Sequence, residues 1–170
     1  MVKQLLVCFL VAIAVDFSSA CNGYKMRLVK LENCAGPDQV IKFDTKATLS
    51  LTKKCDIILT GCGGTTGFKT AKFSYNIIKN GNPLLSGSVD ACEELKKDTK
   101  GFATILKSFD IPSECPVEKM ETCIDETKKM NIDEYKSFLG LMNGDIEVQL
   151  NGTHDTGKTC LKYVVHVSRH

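Results

Sequence analysis

Tryptophan is absent from this chain of 170 residues, and histidine occurs only three times, as His154, His166 and His170. Nucleophilic catalysis needs an imidazole held beside a serine or cysteine. Here His154 falls in an expected turn, His166 on a strand face opposite Tyr163 and Val165, and His170 is the last residue. No G-x-S-x-G elbow occurs. The glycine-rich stretch Gly61 to Gly67 is not closed by Gly-Lys-Ser or Gly-Lys-Thr, so it fails the phosphate-loop pattern and reads as a plain loop. Carboxylate neighbours such as Glu93 and Glu94, or Asp133 and Glu134, are ordinary surface features and do not argue for glycosidase chemistry. No alternating series of oxygen ligands suits calcium, and no C-x-x-C pair or Cys–His cluster suits zinc. These absences point away from an enzyme and imply neither metal nor cofactor.

Charge of one sign is also scarce. The formal net charge is +2, with lysines and acids interspersed. The basic clusters are only pairs (Lys53 and Lys54, Lys96 and Lys97, Lys128 and Lys129), without the aromatic interleaving of a nucleic-acid footprint. No nucleic-acid partner is expected.

Long apolar runs are missing apart from Leu5 to Val15, about half of the roughly 20 residues that a membrane-spanning helix needs. Lys3 precedes this run, and the small side chains of Ser18 and Ala20 follow it in the spacing of a cleavage site before Cys21. Residues 1–20 therefore read as a cleaved secretory signal and 21–170 as a single domain. The cysteines agree. Of the nine, Cys8 lies inside the apolar run and would leave with it. The remaining eight make an even set in an exported chain, which implies up to four bridges. Counting alone allows 105 pairings of eight cysteines.

The dominant pattern is alternation, the mark of strands with one buried face. Leu49 and Leu51 alternate with Thr48, Ser50 and Thr52; Phe73, Tyr75 and Ile77 with Lys72, Ser74 and Asn76. Ile146, Val148 and Leu150 alternate with Asp145, Glu147 and Gln149; Leu161, Tyr163, Val165 and Val167 alternate with more polar neighbours. Weaker strand signals cover 24–31, 40–43, 55–59, 84–89 and 120–125. Asn80 and Gly81 both tolerate positive φ and predict a tight hairpin between 70–79 and 84–89. Asn151 to Gly157 reads as a polar link between the last two strands. Asp90 is placed to cap a short helix from Ala91 to Lys97. Beyond it Phe102, Ile105, Leu106 and Phe109 recur at helical spacing, as a helical turn or an apolar flap. Many short strands with few helices predict an all-β, antiparallel two-sheet sandwich of immunoglobulin-like type, with one short helix or flap near 90–110. Asn151-Gly152-Thr153 is a glycosylation sequon, expected in the polar hairpin loop.

Four stretches are similar to the lipid-recognition (ML) family. They are Glu32-Asn33-Cys34, Asp90-Ala91-Cys92-Glu93-Glu94-Leu95, Cys115-Pro116-Val117-Glu118-Lys119, and Gly144 to Val148 leading through a polar turn to Thr159-Cys160-Leu161-Lys162. The likeness spans about residues 24–168 and lies nearest to secreted, insect-type relatives of the ganglioside activator protein. It departs from the family in having Met120 after Lys119, where relatives often carry glycine, and in lacking tryptophan. The resemblance implies bridges Cys34–Cys160 and Cys92–Cys115. The other four cysteines are expected to pair as Cys55–Cys62 and Cys21–Cys123.

The resemblance also implies a function: a secreted, non-catalytic carrier that holds an acyl chain, sterol or glycolipid between two β-sheets, for transport or presentation. Its expected pocket lining is the inward alternation sets Leu49, Leu51, Phe73, Tyr75, Ile77, Ile146, Val148, Tyr163 and Val165. Phe102, Ile105, Leu106 and Phe109 are expected at the mouth. The expected partners are the lipid itself, a membrane surface in passing contact and a protein receptor. The location would be extracellular, with lysosomal or endosomal delivery compatible. The competing reading is a secreted protein-interaction module, an immune or signalling co-factor or a disulfide-rich inhibitor, without a lipid ligand.

Overall fold

Alternating sequence produces ten antiparallel strands in the computed structural model, which describes residues 20–98 and 101–169. The secretory signal expected over 1–20 lies outside these residues except for Ala20. The strands are β1 (Tyr24–Asn33), β2 (Ile41–Phe43), β3 (Thr48–Leu51), β4 (Asp56–Thr65), β5 (Ala71–Lys79), β6 (Asn82–Asp90), β7 (Met120–Ile124), β8 (Lys129–Asn131), β9 (Gly144–His154) and β10 (Gly157–Arg169). Two α-helices, α1 (Ala91–Lys97) and α2 (Phe102–Ser108), follow β6, and a 3-10 helix, Asp133–Gly140, precedes β9.

Hydrogen bonding runs β2-β4-β3-β1-β10-β9-β5-β6, with β7 and β8 also paired to β4. The path bends where β1 meets β3, a contact of one residue pair, Arg27 opposite Ser50. On one side of that bend β1, β10, β9, β5 and β6 form one layer; on the other, β2, β3, β7 and β8 gather around β4. The layers face each other, since one hollow draws side chains from both. This is the expected antiparallel β-sandwich.

Asn80 (φ 49°) and Gly81 (φ 81°) make the anticipated tight turn between β5 and β6. The Asp90 carboxylate accepts from the Glu93 N–H at 3.2 Å, capping α1 as its sequence predicts. A polar clamp fixes the start of the second layer. The Asn33 side-chain amide donates to the Phe43 carbonyl at 2.7 Å, and its oxygen accepts from the Phe43 N–H at 3.0 Å and from buried Gln39 at 2.9 Å. Asn33, one of the residues of the Glu-Asn-Cys motif, thus holds β2 in place.

Three expectations need correction. Gly61 to Thr65 is not a loop but the second half of β4, paired with β2 on one side and β7 on the other. The glycines there admit close neighbours: a Cβ on Gly63 would lie 2.9 Å from the Phe43 ring, and one on Gly64 2.9 Å from the Met120 carbonyl oxygen. The link between the last strands is shorter than expected, because β9 runs on to His154 and β10 begins at Gly157. Finally, Cys55 does not pair with Cys62, nor Cys21 with Cys123. The bridges are Cys21–Cys55, Cys34–Cys160, Cys62–Cys123 and Cys92–Cys115. Cys55 and Cys62 flank and occupy one extended strand, which at about 3.3 Å per residue separates them far beyond the reach of a disulfide. Cys62 instead lies directly across from Cys123, with Cα atoms 4.0 Å apart. Cys21 reaches Cys55, and both join a buried cluster with Ile132 and Leu139. Of the others, Cys21–Cys55 ties the 3-10 turn Ala20–Gly23 ahead of β1 to the residue ahead of β4, and Cys92–Cys115 ties α1 to the segment ahead of β7.

Candidate functional site: a hollow between the layers

The inward faces of the two layers do not meet everywhere. Between them lies a cavity of about 620 Å³, within the range of small-molecule sites. Its position follows from the strand register. Tyr75 of β5 is opposite Leu150 of β9, which is opposite Leu161 of β10, so these three make one inward row. Phe73 lies one row further toward the β9–β10 turn, opposite Gly152. The facing layer contributes Ile41 and Phe43 from β2, Leu59 and Gly61 to Thr65 from β4, and Met120, Thr122 and Ile124 from β7. Helices α1 and α2 supply Ala91, Glu94, Leu95, Phe102 and Leu106. Phe102 is 49% exposed while lining the hollow, so it marks the rim.

Of the nine residues expected to line a pocket, Phe73 and Tyr75 do so. Leu49, Leu51, Ile77, Ile146, Val148, Tyr163 and Val165 do not. The alternation rule identifies the inward face but not which rows along it border empty space. The triplets Ile77–Val148–Tyr163 and Lys79–Ile146–Val165 are the rows nearer the Asn80–Gly81 hairpin. Ile146 and Val165 are buried, and burial pushes the Tyr163 phenol above its ordinary pKa. Leu51 packs with the Cys21–Cys55 cluster, together with Ile57 and Met130. Of the four expected mouth residues, Phe102 and Leu106 border the cavity; Ile105 and Phe109 do not, and Phe109 is buried where α2 ends. Leu150 and Leu161 were visible in the alternating sets. Ile41, Phe43, Phe68, Ile111, Val117 and Met120 carried no sequence signal that set them apart from ordinary core.

Polar groups in the lining are few. Among the described residues it holds one charged side chain, Glu94, and no lysine, arginine or histidine. Buried His154 lies just behind the wall. Its ring is 4.7 Å from Phe68 and 5.4 Å, edge-on, from Phe73, both of which border the cavity. Burial holds its pKa below the ordinary imidazole value, and nearby Asp155 opposes this only in part. The other described histidine, His166, is 2.6 Å from the Asp145 carboxylate on the opposite face of the hairpin.

Two stretches are decided by their place in the fold, the first of them a pattern the sequence reading missed. Gly152 to Thr159 reads G-x-x-x-x-G-K-T, the phosphate-loop spacing. It forms the β9–β10 hairpin, with Gly152 opposite Thr159. No helix follows it, and the Thr159 hydroxyl is buried against His154. It cannot cradle a phosphate as a strand–loop–helix does. Asn151, expected in a loop, lies within β9 between Ser74 of β5 and Cys160 of β10, with its side chain exposed on the outer face.

No protein-family model matches the chain. Sporozoite-associated mosquito saliva protein 1 of Anopheles gambiae is 36% identical over 152 residues, covering 88% of this chain and 84% of that protein. This chain belongs to that protein's family. Among solved structures, chicken MD-1 complexed with lipid IVa superposes with a TM-score of 0.38 at 11% identity, covering 85% of this chain and 90% of that one. So loose a superposition says nothing about this chain's ligand. Within the described residues no helix is long and apolar enough to cross a membrane. With four disulfides and a saliva protein as relative, the family's features fit an extracellular setting.

Proposed function

We propose that this chain is a secreted lipid-binding protein without catalysis of its own, which holds the apolar part of an acyl chain, sterol or glycolipid between its β-layers for transport or presentation. In this reading residues 1–20 are a leader removed on export, 21–170 are one domain, and Asn151 carries a glycan. The observation that supports it most is the cavity of about 620 Å³ lined by Phe43, Leu59, Phe68, Phe73, Leu150 and Leu161. Each methylene moved from water into such a lining contributes roughly 0.8 kcal/mol. A long tail therefore needs few directional contacts to be retained. The relative's occurrence in saliva supports the export reading.

The test is mass spectrometry of organic extracts from protein purified after secretion, with uptake of a neutral fluorescent probe such as N-phenyl-1-naphthylamine. Co-purifying lipid, or saturable probe uptake displaced by lipids, is expected. Protein that carries no lipid and takes up no probe would overturn the reading.

A second reading, a protein-interaction module, draws on the exposed Tyr135 and Phe138 of the 3-10 helix Asp133–Gly140 and on exposed Leu141 at its end. It predicts that binding of a protein partner is unaffected by filling the cavity.

A further inference from the structure

The cavity's single charge suggests which head group its guest carries. Glu94 lies on α1, which borders the hollow together with α2 and its half-exposed Phe102, and it is itself only partly exposed. Among the described residues no cationic side chain shares the lining, and the other polar side chains there are the hydroxyls of tyrosine, serine and threonine. An amphiphile whose tail fills the apolar end leaves its head near the rim, beside this carboxylate. An anionic head would meet a like charge with no cation among the described lining residues to offset it, in surroundings drier than bulk water, where such repulsion is stronger. A head that donates hydrogen bonds would instead find an acceptor in Glu94 and further partners in the hydroxyls.

We infer that the cavity selects amphiphiles whose head group donates hydrogen bonds and bears no negative charge, long-chain alcohols or amines in preference to fatty-acid anions, with Glu94 as the selecting residue. This rests on the lipid-binding reading and narrows it. Glu94 acts here by exclusion as much as by attraction, since like-charge juxtaposition is a common source of discrimination between otherwise similar ligands.

Displacement of N-phenyl-1-naphthylamine by hexadecanol, hexadecylamine and palmitate tests it, because the three have the same number of carbons and differ only in the head. The amine and alcohol arms separate the two sources of a donating head. Palmitate is expected to be weaker than hexadecanol by about tenfold or more. Glu94→Gln should narrow that gap, whereas Glu93→Gln, on the exposed side of the same helix, should leave it unchanged. Far-UV circular dichroism and thermal midpoints matching the parent establish that both variants are folded. Palmitate displacing the probe as well as hexadecanol does, or a gap unmoved by Glu94→Gln, overturns the inference while leaving lipid binding intact. If none of the three displaces the probe and no lipid co-purifies, the lipid-binding reading fails and the inference with it.

Discussion

Within the β9–β10 hairpin the Nε2 of His154 lies 2.9 Å from the Oγ1 of Thr159, and the other ring nitrogen, Nδ1, is buried without a partner. The Ile41 N–H donates to the same hydroxyl oxygen at 3.1 Å, and the second lone pair of that oxygen is free to accept from an Nε2–H, a tautomer that leaves Nδ1 bare. The second proton, which charges the ring, would then go on Nδ1, buried with nothing to receive it. Burial holds the folded pKa below 6.5, while the unfolded chain takes up the proton near its ordinary value. The unfolded state then binds more protons in that window, so this contribution to stability is full above about pH 6.5 and is lost as the pH falls from there through the folded value. Thermal midpoints measured from about pH 8 to about pH 5 should fall with acidification. His154→Gln, which keeps an acceptor but does not titrate, should flatten the slope. An unchanged slope in that variant would acquit His154 as its source.

Filling the hollow should separate binding from folding. The side chain of Leu150 borders it from the middle strand of the first layer. Leu150→Trp is expected to reduce probe uptake by about tenfold or more while the strand content by circular dichroism stays the same. The stability change should remain within about 1–3 kcal/mol, the usual range for added bulk. Uptake equal to the parent's would mean that the guest sits elsewhere.

Gly63 bears the ring of Phe43 so closely that a methyl group there would sit 2.9 Å from it and 3.1 Å from the Lys42 carbonyl oxygen. Gly63→Ala should cost about 1–3 kcal/mol in urea denaturation, since β2 must shift outward or the ring must swing. Because Phe43 is part of the cavity wall, probe affinity should change with it. A variant as stable as the parent would show that β2 yields without strain.

The Cys92–Cys115 bridge closes a segment that contains both α1 and α2. Replacing both cysteines by serine should lower stability by about 3 kcal/mol, as expected for a loop of this length. Release of bound probe should also quicken, since the helices at the rim lose one anchor. Stopped-flow dissociation kinetics read this, and an unchanged off-rate would mean that the helices do not control exit.

Protein collected from the medium of secreting cells should begin at Cys21, and its mass should fall on enzymatic removal of N-glycans if Asn151 is occupied. N-terminal sequencing that retains Leu5 to Val15 would contradict the leader reading.

Much of the fold was legible because alternation is a direct consequence of strand geometry. Phe73-Tyr75-Ile77 and Tyr163-Val165-Val167 announce β5 and β10 without any tertiary knowledge. Asn80-Gly81 announces its turn for the same local reason. The second half of β4 was hidden because its glycines have no side chains to alternate. They belong to a strand because of what packs on them, Ala47, Phe43 and Met120, which lie far away in sequence. The 3-10 helix of Asp133 to Gly140 also left no clear signal, with only Leu139 buried. The cavity was half legible. Period two separates the inner face from the outer, but whether a row meets packed side chains or empty space depends on the opposing layer. Tyr75 and Tyr163 share one face of the sheet, yet only the first borders the hollow.

The layers are joined by the rung Arg27–Ser50, by the Asn33–Phe43 clamp and by the Ile41–Thr159 bond, while Cys92–Cys115 ties α1 to the segment ahead of β7. On the proposed reading a guest enters where α2 borders the hollow, away from the margin joined by Arg27–Ser50. It must thread lengthwise past Phe102 and Leu106, tail leading. Loading and unloading rates should then scale with how long the hydrocarbon is, even among guests of equal affinity.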